Sequence, residues 1–157
     1  MQFRKYFKIK AIANLCAVFV IVALMAFAFY RSFFDVFHLA NAPEGGSVMF
    51  VGVGVLLLLF YWFLTASLLP AFILSLISAI LLFLKSGLFR QKENALLLGR
   101  IGKFLATGAL LLLFLFAVTI LSKCVYAIFG TLFLTSAILD IVFWKRLKNS
   151  AVQRPNQ

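Results

Sequence analysis

Residues 47–84, SVMFVGVGVLLLLFYWFLTASLLPAFILSLISAILLFL, run for 38 positions without a charged side chain. As one straight helix at 1.5 Å per residue the stretch would reach about 57 Å, nearly twice the ~30 Å hydrocarbon core of a bilayer. It is therefore either one over-long element or a hairpin that crosses twice, and the number of spans in the protein turns on which. The run is continuously apolar and does not alternate, so it reads as helix and not as barrel strand.

The rest of the chain places this stretch in lipid. Of 157 residues 65% are hydrophobic and 12% charged, with a mean hydropathy of +1.12, whereas a soluble domain is roughly 45–50% apolar and about 25% charged. Twenty Phe residues suit an exterior that meets hydrocarbon. No water reaches the bilayer core to satisfy backbone amides, so an all-α, polytopic membrane protein follows.

Three further charge-free runs are simpler. The first span is expected over residues 11–30, entered through Arg4, Lys5, Lys8 and Lys10 and closed by Arg31. The later ones are expected over 104–122 and 124–144, separated by Lys123, with 145–157 a short basic tail. Charge then decides the ambiguous tract. If 47–84 crosses once, 13 of the 15 Lys and Arg lie on the side of the termini and 2, Arg31 and Lys123, lie opposite. A double crossing would put the positive charges of 85–103 and of the tail outside, against the positive-inside preference. The expectation is four spans in an up-down-up-down bundle, both termini cytoplasmic. In the long tract Tyr61 and Trp62 read as an outer aromatic belt and Lys85 as the inner anchor. Residues 61–84 are then the spanning core and 47–60 an apolar extension. Pro70 should kink that span near Ala66, because it lacks the amide that would bond four residues back.

A basic start, an apolar run and the small residues Ala26 and Ala28 superficially match a signal peptide, but the 20-residue run exceeds the roughly 7–15 of an h-region. The first span is expected to stay. The inner basic face should attract anionic lipid headgroups. No folded basic domain is left over for nucleic acid, and none is expected to bind.

Small residues at helical spacing mark the expected contacts. Ser67, Ala71, Ser75 and Ala79 recur every four positions in the second span. Ala127, Thr131 and Thr135 recur likewise in the fourth, and Gly102 with Ala106 supplies a third face. Small side chains let backbones approach where lipid removes the hydrophobic drive between helices, within a bundle or between subunits. Asp140 lies one turn inside the end of the last span, and Lys103 at similar depth is its expected ion-pair partner. His38 with Asp35 and Glu44 is too sparse a set for a metal site. Cys16 and Cys124 fall on opposite sides of the bilayer and cannot bridge within the chain. Neither a nucleophile with a base, HExxH nor clustered carboxylates occur, so no catalytic residue, cofactor or metal is expected.

Residues 85–112, KSGLFRQKENALLLGRIGKFLATGALLL, feed a short basic connector with Phe89 and Asn94 through Leu98, Ile101 and Gly102 into the third span. This segment resembles the middle of a family of small bacterial four-span membrane proteins known only as a domain of unknown function. The resemblance implies the four-span topology and the bacterial cytoplasmic membrane; it implies no chemistry. Two classes of function follow. One is a non-enzymatic protein acting through helix contacts with a membrane-protein partner or a second copy, in an accessory, regulatory, exclusion or immunity-type role. The alternative is a small transporter or channel subunit using Pro70 and the Ser67, Ser75 and Ser78 face as a pathway.

The charge split makes the topology testable. A reporter that is active only in the cytoplasm should be active when fused after Gln157, and activity confined to reporters that work outside the cell would refute the four-span reading.

Overall fold

The computed structural model describes residues 2–40, 48–84, 89–117 and 120–152. The readings attached to Glu44, Gly45, Gly46 and Lys85, and to the side chains of Asp35 and His38, lie outside the described residues. The described chain forms helices α1 (Gln2–Ala40), α2 (Val48–Ala66), α3 (Leu69–Phe83), α4 (Phe89–Phe116) and α5 (Ile120–Val152). Four stretches are long and apolar enough to cross a membrane: Lys5–Phe34, Gly54–Phe83, Gln91–Phe116 and Ile120–Arg146. Phe19, Leu56, Phe63 and Leu115 stand exposed on the outside. Such a surface would drive aggregation in water and is ordinary against lipid.

The long tract crosses once. Phe29 of α1 stacks on Trp62 of α2 at 5.1 Å between ring centroids, and Asn14 of α1 hydrogen-bonds Ser78 of α3 at 2.8 Å. These contacts are fifteen residues apart in α1 and sixteen apart in α2–α3, so the two halves of the tract run on in one direction, antiparallel to α1. The bend between them lies at Ser67 and Leu68, where α2 ends at Ala66 and Pro70 sits in the first turn of α3. Without an amide, Pro70 cannot continue the α-helical ladder. The Ser67 amide is shared between the Phe63 and Leu64 carbonyls, both at 3.2 Å, and the Leu68 amide tightens onto the Thr65 carbonyl at 3.1 Å. Ser67 Oγ donates to Leu64 O at 2.5 Å, which keeps its hydroxyl satisfied at the bend.

Two boundaries differ from those expected. The third span ends at Phe116 and the last helix begins by Ile120, so Ser122 and Lys123 belong to α5 and not to a turn. Lys123 sits in the first turn of α5, where its long aliphatic stem lets the charge reach water, so the charge does not mark the reversal of the chain. At the other end α5 continues as helix to Val152, well into the region expected to be a tail.

α3 packs along α4, and α4 along α5, while α1 lies against α2 and α3 and meets α5 at few points. Ile21, Leu24, Leu68, Leu110, Leu113 and Tyr126 anchor the apolar core. The α3–α4 contact is the tightest. Ala71, Ser75, Ser78 and Ala79 of α3 are buried, facing the buried Ala95, Gly99, Gly102 and Ala106 of α4. A Cβ at Gly102 would stand 3.2 Å from the Ala71 carbonyl oxygen and 3.3 Å from the Ser75 amide nitrogen, so one backbone lies directly on the other. Ser75 Oγ closes no hydrogen bond and contributes its small size.

Overpacking this seam should cost about 1–3 kcal/mol per substitution by analogy with soluble cores. Ala71→Leu and Gly102→Val are expected to lower unfolding stability in mild detergent by that amount. Ile80→Phe, on the exposed side of α3, should be neutral, and equal losses at all three positions would contradict the seam.

Candidate functional site

At the end of the bundle that carries both termini, three helices converge on one carboxylate. Asp140 of α5 is 4% exposed and Lys103 of α4 is 2% exposed. Lys103 Nζ donates to one Asp140 carboxylate oxygen at 2.6 Å, and Lys10 Nζ of α1 donates to the other. Arg100, one turn from Lys103, donates from Nη2 to the Asp140 backbone carbonyl at 3.1 Å. Removing such charges from water costs several kcal/mol per ion even after relaxation, and the bidentate sharing of Asp140 offsets that cost for part of the charge. Formally, three cations face one anion.

Aromatic side chains close the cluster on its outer side. Tyr6 stacks on Trp144 at 6.1 Å between centroids, Phe7 packs on the same indole, and Lys10 lies over the Tyr6 ring at 5.6 Å. The Tyr6 hydroxyl lies beside the Arg100 guanidinium, yet neither it nor Arg100 Nε closes a hydrogen bond. Farther out on the same end, Lys148 and Glu93 form an exposed pair at 3.4 Å, of a kind worth little.

One turn along α1 from Lys10, Asn14 Nδ2 donates to Ser78 Oγ at 2.8 Å and Ser78 Oγ donates to the Ala95 carbonyl at 2.5 Å. This relay ties α1, α3 and α4 together. Gly99 makes room for it, because a Cβ there would fall 2.6 Å from Asn14 Nδ2 and 2.7 Å from Ser78 Oγ. At the opposite end Tyr61 is buried, and its hydroxyl donates at 2.5 Å to the carbonyl of Phe116, the last residue of α4. It satisfies one of the acceptors a helix leaves open at its C-terminus. Tyr61 is thus a cap between helices where a belt residue was expected; Trp62 remains half-exposed against Phe29 and Phe33.

The structure brings together Lys103 with Asp140, and Ala71 and Ser75 with Gly102; Ala79 and Ala106 are buried, and Ser67 is half-buried at the bend. It leaves Ala127, Thr131 and Thr135 exposed, not buried in a seam among the described helices. Their hydroxyls need no partner there: Thr131 donates to the Ile128 carbonyl at 2.8 Å and Thr135 to the Thr131 carbonyl at 2.9 Å. Beside them a groove of about 220 Å³ opens between α4 and α5, with Gly130 and Thr107 in its walls. Lys10, Arg100, Tyr6, Asn14 and Gly99 were not anticipated. Asn14 carried a signal, being the one amide side chain within the apolar run 11–30; in lipid such a group needs a partner. Among the described residues no group of three His, Cys, Asp or Glu side chains comes together, and Cys16 and Cys124 are free and exposed.

The chain matches no protein-family model, and no curated protein or solved structure matches it significantly.

Sharing makes the two ends of the ion cluster unequal. Asp140→Asn leaves two ammonium groups without a carboxylate and should cost about 3 kcal/mol or more, the usual range for orphaning a buried charge. Lys103→Met leaves the Lys10–Asp140 pair and should cost clearly less. Denaturant titration in detergent checks the order, and a larger loss in Lys103→Met would contradict it.

Proposed function

We propose that this chain is a non-enzymatic protein of the bacterial cytoplasmic membrane that works through helix contacts with another membrane-embedded chain, in an accessory, regulatory, exclusion or immunity-type role. In this reading both termini and the Lys10–Asp140–Lys103 cluster face the cytoplasm, where anionic lipids surround the basic end. The basic majority on that side and the positive-inside preference support the orientation.

The observation that carries the reading is the outward face of α5. Ala127, Thr131 and Thr135 are exposed on a helix whose neighbouring outward positions, such as Ile128, Leu132 and Leu139, carry large apolar side chains. A lipid-facing surface gains nothing from small side chains in register, whereas a second helix laid along the groove beside Gly130 needs them. The occupant is a transmembrane helix of a second copy or of a different membrane protein.

The alternative, a small transporter or channel subunit, draws on the buried Lys103–Asp140 pair, since intramembrane charges mark many ion paths. Against it, the described grooves beside Thr65 and Thr131 are walled almost wholly by apolar side chains. The Ser75 and Ser78 face proposed as its pathway is packed against α4.

A photoreactive side chain introduced at Thr131 should yield a protein adduct of discrete mass in native membranes, lost when Gly130→Leu fills the groove. The same group at Phe19, exposed on α1, should label lipid. Lipid adducts alone at both positions would overturn the helix-contact reading.

A further inference from the structure

We infer that the basic end of the bundle holds one anionic phospholipid, its phosphate at the Tyr6–Lys10–Arg100–Lys103 cluster and an acyl chain in the groove between α1 and α5. Three observations converge on it. The first is charge: Lys10, Lys103 and Arg100 surround one carboxylate, Asp140, so the cluster keeps a formal excess of two positive charges among largely buried groups. Asp140 already accepts from both lysines through its two carboxylate oxygens, and the described cluster offers no second acid to balance the rest.

The second is unspent hydrogen-bonding capacity. Tyr6 Oη lies against the Arg100 guanidinium, yet neither Tyr6 Oη nor Arg100 Nε closes a well-formed hydrogen bond, although buried donors are almost always satisfied, by protein or by a bound group. A guanidinium is the side chain best shaped to receive phosphate oxygens.

The third is shape. α1 and α5 leave an open groove of about 170 Å³ whose walls include Ala13, Ala17, Phe129, Phe133 and Ser136, with Lys103 at its charged end. It extends over eight residues of each helix, seven steps from Ala13 to Val20 and from Ser136 back to Phe129. At 1.5 Å per residue that is about 10 Å, directed from the cluster into the hydrocarbon. A free anion would use the cations and leave the groove empty. A phospholipid uses both, and basic pockets between helices at an inner membrane face are a recognised setting for such headgroups.

The inference stands apart from the helix-contact reading, because the groove lies between α1 and α5 and the exposed threonine face lies on the α4 side of α5. Native mass spectrometry of the purified chain in detergent, with phosphatidylglycerol and phosphatidylcholine in equal amounts, tests it. One phosphatidylglycerol per chain should be retained at least tenfold over phosphatidylcholine. Arg100→Gln should remove most of that preference and Arg100→Lys part of it. Ser136→Leu, which fills the groove and leaves every charge in place, should weaken lipid binding several-fold. Lys148→Gln, exposed at the same end, should change nothing. Equal binding of the two lipids by the folded wild-type chain would overturn the proposal, as would displacement of the lipid by millimolar inorganic phosphate or loss of preference in Lys148→Gln equal to that in Arg100→Gln.

Discussion

Helices in hydrocarbon gain almost nothing by burying Leu against Leu, so whatever holds them together must come from close backbone approach and from polar groups with no other partner. In this chain both come together where Asn14, Ser78 and Ala95 share two hydrogen bonds over Gly99. Glycine at 99 lets α4 come close enough for Ser78 to reach the Ala95 carbonyl, and that approach in turn sets the spacing at which Ser75 and Ala71 meet Gly102. The order of dependence runs from one missing side chain to a seam. The seam then fixes α3, and with it the second half of a tract too long to cross straight.

The charge cluster builds on that junction. Lys10 lies one turn before Asn14 on α1 and Lys103 one turn after Gly99 on α4, and the two helices run in the same direction, so the lysines stand on opposite sides of the relay and reach toward each other through their long side chains. α5 then contributes Asp140 between them. This explains how α5 can touch α1 so sparingly and still be held: one shared carboxylate with an aromatic lid of Tyr6, Phe7 and Trp144 joins them at this end, and Phe27 meets Tyr126 edge-on toward the other. The far end is held differently, by Phe29 on Trp62 and by Tyr61 on the last carbonyl of α4. A bundle joined at its two ends leaves the middle of α5 open along α1 on one side and beside Gly130 on the other. Both proposals use those two openings, one for a lipid and one for a helix.

Much of this was legible in residue order, for physical reasons that can be named. Charge-free length and the sidedness of Lys and Arg carry topology because lipid penalises charge at every position of a span. The break at Ala66 follows from the missing amide of Pro70. The pairing of Lys103 with Asp140 follows from depth alone, since each needs a counter-ion at that level. What stayed hidden depended on rotation and not on depth. Periodicity shows that Ala127, Thr131 and Thr135 share a face; it does not show what that face meets, and the structure turns it outward. Tyr61 and Trp62 are adjacent and equally aromatic, yet the helix points one at the end of α4 and leaves the other half-exposed. Lys10 lay in a terminal cluster whose charges looked alike until α5 was placed.

The central claim is that α4 closes on α1 and α3 because position 99 has no side chain. The most direct measurement is the stability of Gly99→Ala in two backgrounds, wild type and Asn14→Ala/Ser78→Ala, by reversible unfolding in detergent. In the wild-type chain the new Cβ meets Asn14 Nδ2 and Ser78 Oγ well inside contact distance, so the substitution should destabilise by about 1–3 kcal/mol. In the background lacking both polar groups the clash is gone, and Ala should be neutral or better by up to about 1 kcal/mol, its advantage over Gly within a helix. An equal effect in both backgrounds, or no loss in the wild type, would contradict the account.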